Sequence, residues 1–464
     1  MKDNKISRRT ALKQIVAGGA GVVAGTSLLG SCKNDKTVKK TYSKVEKTSD
    51  TIVTRTWETT SETIGLLGLG CMRLPRMGED RNSPIDQEQT NEMVDYSLAH
   101  GINYFDTAPA YPGSEVAMGV ALCRHPRESY KLATKMSNFP RGPQQPTLED
   151  AKQMFETSLS NLKTDYFDYF LLHSLSGEQN YLSRFVENGV LDYIINQKKA
   201  GRIRHIGFSF HGSNEELEKL LDRPEYDWEF VQLQINYLDW KDMPDRDPRS
   251  KAKIDAETQY NSVASRNIPV VVMEPVRGGA LATVNSGIED MFIQSRPDLS
   301  PAGMALSFVG SLPGVMVVLS GMSNMDQLVE NVNTFTDFIP LSDETNEMLF
   351  SAADLYKSNP MVGCTACAYC MPCPSGVNIP GVFAVYDRTS SELNLPDPDG
   401  VIDEEYKRKR KIFLNRYNKT LKKTEKASSC TQCETCLPKC PQSIRITQQI
   451  QKIDELVRKL NEIK

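Results

Sequence analysis

Asn103-Tyr104-Phe105-Asp106-Thr107-Ala108-Pro109-Ala110-Tyr111 is the stretch on which the reading of this chain turns. An apolar run from Ile102 to Phe105 delivers one carboxylate, Asp106, at its end, and Tyr111 follows on a proline-flanked loop. Outward from there, strand-sized apolar runs recur at 64–69, 102–106, 130–135, 167–173, 203–209, 230–236, 270–274 and 315–320. Helical patterns fall between them, over 87–100 with Gly101 at its C′ position, 114–123, 148–162 and 324–334. Thr147 is placed to cap the helix from residue 148, with Asp150 at its third position. Buried β-branched runs separated by helices argue for a parallel sheet, and eight such units fit a closed (β/α)8 barrel. An open doubly wound sheet is the alternative, but no Gly-x-Gly-x-x-Gly turn follows any strand. In a barrel the working groups stand where strands end at the carboxyl face. Asp106, Lys135 and His173 each close an expected strand, and Tyr111 sits on the loop after one.

At 464 residues the chain exceeds one ordinary domain. Its hydrophobic share of 39% and charged share of 25% are those of a soluble globular protein. A net charge of −4 offers no general attraction to nucleic acid or anionic membrane, and the basic run Lys407-Arg408-Lys409-Arg410-Lys411 reads as a solvated helix face. Eleven cysteines are present, with eight crowded between residues 364 and 440.

Asp106, Tyr111, Lys135 and His173 resemble, in type, order and context, the catalytic set of the aldo-keto reductase family. Singly, a strand-end histidine is usually structural and an Asp-Lys pair usually a salt bridge; four in order at strand ends favour chemistry. The resemblance implies transfer of hydride between a nicotinamide nucleotide and a carbonyl or alcohol, a sugar among the candidates. Tyr111 would serve as the proton donor, Lys135 would lower its pKa from about 10, Asp106 would hold Lys135, and His173 would orient the carbonyl. Ser209 and Gln234 match the positions that bond the carboxamide. Phe210 stands where the family usually has Asn, and Met273 where it has a stacking aromatic. Glu274-Pro275-Val276-Arg277-Gly278-Gly279 resembles the pyrophosphate loop, and Gly321, Met322, Asn324, Gln327, Glu330 and Asn331 the adenosine end. No Lys or Arg lies between Gly321 and Asn331 to meet a 2′-phosphate, which leans NAD(P) toward NAD.

Cys364, Cys367, Cys370 and Cys373-Pro374 form one run, and Cys430, Cys433, Cys436 and Cys440-Pro441 a second. The second matches the bacterial ferredoxin pattern, so two [4Fe-4S] clusters are expected. Zinc would favour two separate Cys-x-x-Cys pairs, and disulfides at this density would be strained. By resemblance to two-cluster ferredoxins, each run's last cysteine crosses over, giving Cys364, Cys367, Cys370 with Cys440, and Cys430, Cys433, Cys436 with Cys373. Cys71 and Cys123 read as buried apolar thiols. Residues 446–463 carry Ile446, Ile450, Ile453, Leu456, Leu460 and Ile463 at helical spacing.

Ser7-Arg8-Arg9-Thr10 before the uncharged stretch 15–30 resembles a twin-arginine export signal, and Leu29-Gly30-Ser31-Cys32 a lipobox. The expectation is export to the periplasm or cell envelope with a lipid anchor at Cys32. The expected division is signal 1–32, flexible linker 33–55, barrel 56–345, and a smaller ferredoxin-like iron-sulfur domain with a terminal helix, 346–464. This combination resembles the aldo-keto reductases that carry a carboxyl-terminal ferredoxin-like domain. The alternative is an electron-transfer iron-sulfur protein whose barrel is a docking scaffold. Partners are then a small carbonyl or alcohol, the membrane through the anchor, and an electron-transfer partner, with no nucleic acid.

Overall fold

The computed structural model describes residues 42–462 apart from 44–45, 58–60, 79–82, 141–143, 244–253, 359–360, 398–399 and 441–443. The expected export signal and lipobox lie outside these residues. From Glu46 onward the expected linker is docked rather than loose. Thr48 bonds Asp337 through its backbone at 2.6 Å, Ile52 bridges to Thr336, and the Ile52 side chain is buried against Gly65 and Gly101. Two apolar residues, Ile52 and Val53, among polar ones are too faint a pattern to announce that attachment.

A hairpin comes next, β1 (Thr54–Trp57) and β2 (Glu62–Gly65), paired antiparallel. The first expected strand, 64–69, is therefore divided at Leu66, and only its second half enters the barrel. The barrel strands are β3 (Leu67–Gly70), β4 (Tyr104–Asp106), β5 (Lys131–Met136), β6 (Phe167–Leu175), β7 (Ile203–Phe210), β8 (Val231–Gln234), β9 (Val270–Met273) and β10 (Val315–Ser320). They close in the order β10-β3-β4-β5-β6-β7-β8-β9, and every pair is parallel. Successive side chains point to opposite faces of a strand. Along β6, accordingly, Tyr169 and Leu171 fill the barrel interior, whereas Phe170 and Leu172 join the core under the helices.

The helices follow local chemistry. Thr147 and Asp150 form a reciprocal capping box on helix Leu148–Leu162. Helix Gln87–Ala99 stops at Gly101, whose φ of 88° is left-handed, and the next residue begins the approach to β4. Helix Asp343–Lys357 packs Leu349, Ala352 and Tyr356 into the barrel's outer core, so that core runs past residue 345.

Helices Ile379–Ser391, Glu404–Thr420 and Ile446–Glu462 build a second core of Val382, Phe383, Phe413, Tyr417, Ile450, Ile453 and Leu460, into which Cys370 and Cys436 also pack. Among the described residues of 361–462 there is no strand. Any likeness to ferredoxins there rests on the cysteine loops.

A charged group sits just before β8. Glu229 receives Lys198 Nζ at 2.7 Å, His205 Nδ1 at 2.9 Å, and the Tyr226 hydroxyl. Burial opposes the charge, but bonds from His205, Lys198 and Tyr226 outweigh it and hold the carboxyl at about 2, below its usual 4.5. The stabilisation is complete above the unfolded value and is lost as pH falls from about 4.5 toward 2. Thermal melts of wild type and Glu229→Gln through that window should show a steeper acid decline in wild type; parallel declines would contradict this.

Candidate active site and cysteine groups

Lys135, near the end of β5, and Asp106, the last residue of β4, are 1% and 3% exposed. Lys135 Nζ donates to Asp106 Oδ1 at 2.5 Å and to the Thr107 carbonyl at 2.9 Å. Gln232 Nε2, from β8 across the barrel, reaches the other Asp106 oxygen at 3.2 Å. The ammonium also stands 5.2 Å from the centroid of the Tyr111 ring. Tyr111 lies edge-on to His173, with centroids 6.0 Å apart. The four residues expected from sequence thus meet at the carboxyl mouth.

Several neighbours had no sequence signal beyond lying a few residues past Lys135 or His173. Ser137 Oγ meets His173 Nδ1 at 2.6 Å, and the Phe139 ring lies 5.1 Å from the imidazole. Arg184, 1% exposed, donates to the His173 carbonyl at 2.8 Å and to the carbonyl and side chain of Asn138. One buried guanidinium therefore fastens the loops after β5 and β6 together.

The expected lowering of the Tyr111 pKa is not found. Burial pushes the phenol well above its usual range, and the Asp106 charge, the phenol of Tyr369, the Cys71 thiol and the Glu274 carboxylate push the same way. The ammonium that should favour the phenolate is already paired with Asp106. Burial thus favours the neutral phenol of Tyr111. Burial also raises Asp106, against the pull of Lys135 and Gln232.

The expected nucleotide residues line one half of the mouth, because β7-β8-β9-β10-β3 are consecutive neighbours. Ser209 Oγ accepts the Ser174 N–H at 2.7 Å, and Gln234 Nε2 donates to Asp239 at 3.1 Å. Phe210 is packed in the helix-side core with Phe208. Met273 is half-buried at the end of β9. On either side of Pro275 and Val276 the loop curls tightly, with φ of 56° at Glu274, 48° at Arg277, 64° at Gly278 and 97° at Gly279. At Gly278 a Cβ would stand 2.3 Å from the Thr365 carbonyl oxygen, so only glycine lets the two segments meet. At the other end Asn324 caps helix Met325–Phe335 through Gln327 N at 3.0 Å, Gln327 Oε1 accepts Ser323 N at 2.8 Å, and Glu330 is bonded by Ser300. Asn331 Nδ2 donates to Ser320 Oγ at 3.0 Å, and Met322 is 1% exposed. Arg73, from the turn after β3, lies along Gly321 and donates to the Thr365 carbonyl; its distance in sequence hid it.

The cysteines fall into two sets. Burial raises the Cys364 thiol, and Cys367 and Cys370 add to it. Cys370 is pushed up to about 12 by burial and then by Cys367, Cys440 and Cys436. Cys436 is pushed up to about 11 by burial, with Cys373, Cys430 and Cys433 beside it. Those last three and Cys436 line a small cavity walled by Val377, Ile379, Ile446 and Ile450. Both runs share one loop shape. Ala366 and Ala368, like Gln432 and Glu434, have positive φ, and the N–H groups of Ala366 and Gln432 each point at the first sulfur of their run at 3.4 Å. The described cysteines are all free thiols, so no disulfide competes for them. Among the described residues no three Cys, His, Asp or Glu side chains converge as one metal ion requires, whereas a cubane spreads its thiolates over separate irons. The donor type, the paired loops and the N–H···S bonds fit a cluster. Cys71 is buried as expected, but Cys123 is exposed at the end of its helix, beside Lys163.

The Aldo/keto reductase family model matches residues 66–354. The uncharacterized oxidoreductase YqkF of Bacillus subtilis is 26% identical over 320 residues, which cover 64% of this chain and 95% of that protein. Protein tas of Escherichia coli is 26% identical over 331 residues, 58% of this chain and 89% of tas. An aldo-keto reductase from Bacillus halodurans, solved in its holo form, is alike in fold, with a TM-score of 0.50 at 24% identity over 65% of this chain and 96% of that one. The family match ends before Cys364.

A buried ion pair breaks badly when one member is removed, by about 3–5 kcal/mol. Asp106→Asn should therefore cost a few kcal/mol in urea unfolding, and Asp106→Leu with Lys135→Met together should cost less. A single loss below about 1 kcal/mol would show the pair to be solvated.

Proposed function

The chain belongs to the aldo/keto reductase family, a family of oxidoreductases, and we propose that it moves hydride between NAD(P) and a small carbonyl or alcohol, a sugar among the candidates. The observation that carries this reading is the Lys135 ammonium placed between the Asp106 carboxylate and the Tyr111 ring. A bound nicotinamide supplies or accepts the hydride. The chain's own residues handle the proton and the geometry. Tyr111, kept neutral by burial, donates its proton to the substrate oxygen as charge develops there, and takes it back in the reverse direction. Lys135 stabilises the phenolate left behind. With Nδ1 of His173 engaged by Ser137, Nε2 is the nitrogen that serves the carbonyl oxygen.

Ser209 and Gln234 would meet the carboxamide, the backbone from Glu274 to Gly279 the pyrophosphate, and Gly321, Met322, Asn324, Gln327, Glu330 and Asn331 the adenosine. NAD is favoured over NADP because the segment from Gly321 to Asn331 carries no Lys or Arg and the guanidinium of Arg73, which lies along Gly321, is bonded to the Thr365 carbonyl.

We assign two [4Fe-4S] clusters to the cysteine sets, one on Cys364, Cys367, Cys370 and Cys440, the other on Cys373, Cys430, Cys433 and Cys436. Such clusters pass single electrons, to a partner or to the nucleotide, or fasten the cysteine-bearing helices onto the barrel, whose core takes in helix Asp343–Lys357. In this reading residues 1–32 are an export signal, Cys32 bears the lipid, residues from 33 tether the protein to the cell envelope, and the nucleotide stays bound through turnover. Phe210 in place of the family's usual Asn would favour a scaffold without reductase activity, but its ring is accounted for by core packing.

Tyr111→Phe should lower turnover of a small aldehyde at least a hundredfold while iron content and visible spectrum stay as in wild type. Unchanged turnover would remove Tyr111 as the acid. Ser137→Ala, losing one hydrogen bond of about 1 kcal/mol, should slow it several-fold with nucleotide affinity kept. Anaerobic purification should return about eight irons per chain, with labile sulfide to match, and one retained dinucleotide; zinc in place of iron would contradict the cluster assignment.

A further inference from the structure

Arg277 carries a charge that the reaction above does not use. Its guanidinium, 6% exposed, spans two partners: Nε meets Asp239 Oδ2 at 3.1 Å, and Nη1 meets the Gly363 carbonyl at 3.2 Å. Asp239, 1% exposed, is a junction at the exit of β8. The same Oδ2 accepts Gln234 Nε2 at 3.1 Å and Asn236 Nδ2 at 3.0 Å. On the far side, Gly363 immediately precedes Cys364. The N–H groups of Val362, Gly363 and Cys364 all converge on the Asp387 carboxylate, at 2.6, 2.9 and 3.2 Å. Asp387 belongs to helix Ile379–Ser391, part of the cysteine core.

An unbroken line of bonded groups therefore runs from Gln234 through Asp239, Arg277 and Gly363 to Asp387, and the first cysteine of the first run hangs on its last joint. Two contacts fix the line laterally, Arg73 on the Thr365 carbonyl and the Gly278 backbone against Thr365. A guanidinium is a rigid planar fork. A displacement of Gly363 that keeps both bonds must be taken up at Asp239, and so at Gln234.

We propose that Arg277 is a positioning residue that couples the first cysteine set to the nicotinamide end of the barrel, so that the condition of the Cys364 loop sets the affinity for the dinucleotide. The inference rests on the nucleotide reading above. Coupling of this kind is reciprocal, so bound nucleotide also steadies the cysteine loop.

The test is a double-mutant cycle on protein first stripped of its retained dinucleotide, read by fluorescence titration with NADH and NADPH. Asp387→Asn removes the charge that gathers the N–H groups of Val362, Gly363 and Cys364, and a neutral replacement of Arg277 is avoided so that a positive charge faces position 387 in both backgrounds. Arg277→Lys keeps a positive charge beside Asp239 but lacks the second arm for Gly363. Asp387→Asn should weaken nucleotide binding about tenfold in the wild-type background, and less than about twofold when Arg277→Lys is already present. Removal of iron by a chelator, followed by loss of visible absorption, should behave in the same way and serves if Asp387→Asn does not fold. Affinity unmoved by either perturbation, or moved equally in both backgrounds, would overturn the coupling. A wild-type protein that binds neither nucleotide would instead refute the nicotinamide reading, and the coupling with it.

Discussion

One ammonium, almost wholly removed from water, organises this protein. Burying Lys135 is costly, and the cost is tolerable only because Asp106, the Thr107 carbonyl and, one step further, Gln232 surround it. Those groups come from β4, its following turn, β5 and the opposite strand β8. Such convergence needs a closed sheet. The barrel supplies an apolar interior beneath the pair, filled by Tyr104, Tyr169, Phe230 and Val317. Tyr111 is then brought over the pair by the turn that starts helix Ser114–Leu122, whose first residue bonds back to the Tyr111 carbonyl.

Dryness has a second effect. The same burial that strengthens the ion pair disfavours a phenolate, so Tyr111 stays neutral although a cation stands near its ring. A donor held in that form suits proton delivery to a developing alkoxide better than a phenol already ionised.

The strands were legible because each is a short apolar run bounded by a turn or a helix, and that signal is local. So was the Thr147 cap, with donor and acceptor three residues apart. The four candidate residues at the mouth could be read because barrel chemistry gathers at strand ends, making order along the chain a proxy for position. What escaped is long-range. Nothing near Arg277 announces Asp239 or Gly363 as its partners, and nothing near Arg73 announces Gly321 or Thr365. The sense of the Tyr111 shift was missed because pairwise charge reasoning sees the lysine before the burial. Cys123 was misjudged because an apolar helix pattern does not say which face its last turn presents. The docked segment from Glu46 was missed because its partners, Thr336 and Asp337, stand 289 residues further along the chain from Lys47 and Thr48.

The state of the Tyr111 phenol decides most directly between this account and a barrel that only resembles an enzyme. Tyrosine labelled at Cζ, with the Tyr111 signal assigned by its loss in Tyr111→Phe, can be titrated by carbon NMR in the nucleotide-free protein. The account predicts a neutral phenol through and beyond the usual tyrosine value of about 10, and a resonance that shifts when Lys135 is replaced by Met. Ionisation at or below that value, with no response to Lys135→Met, would mean that Tyr111 is neither buried beside the ammonium nor held ready as the acid.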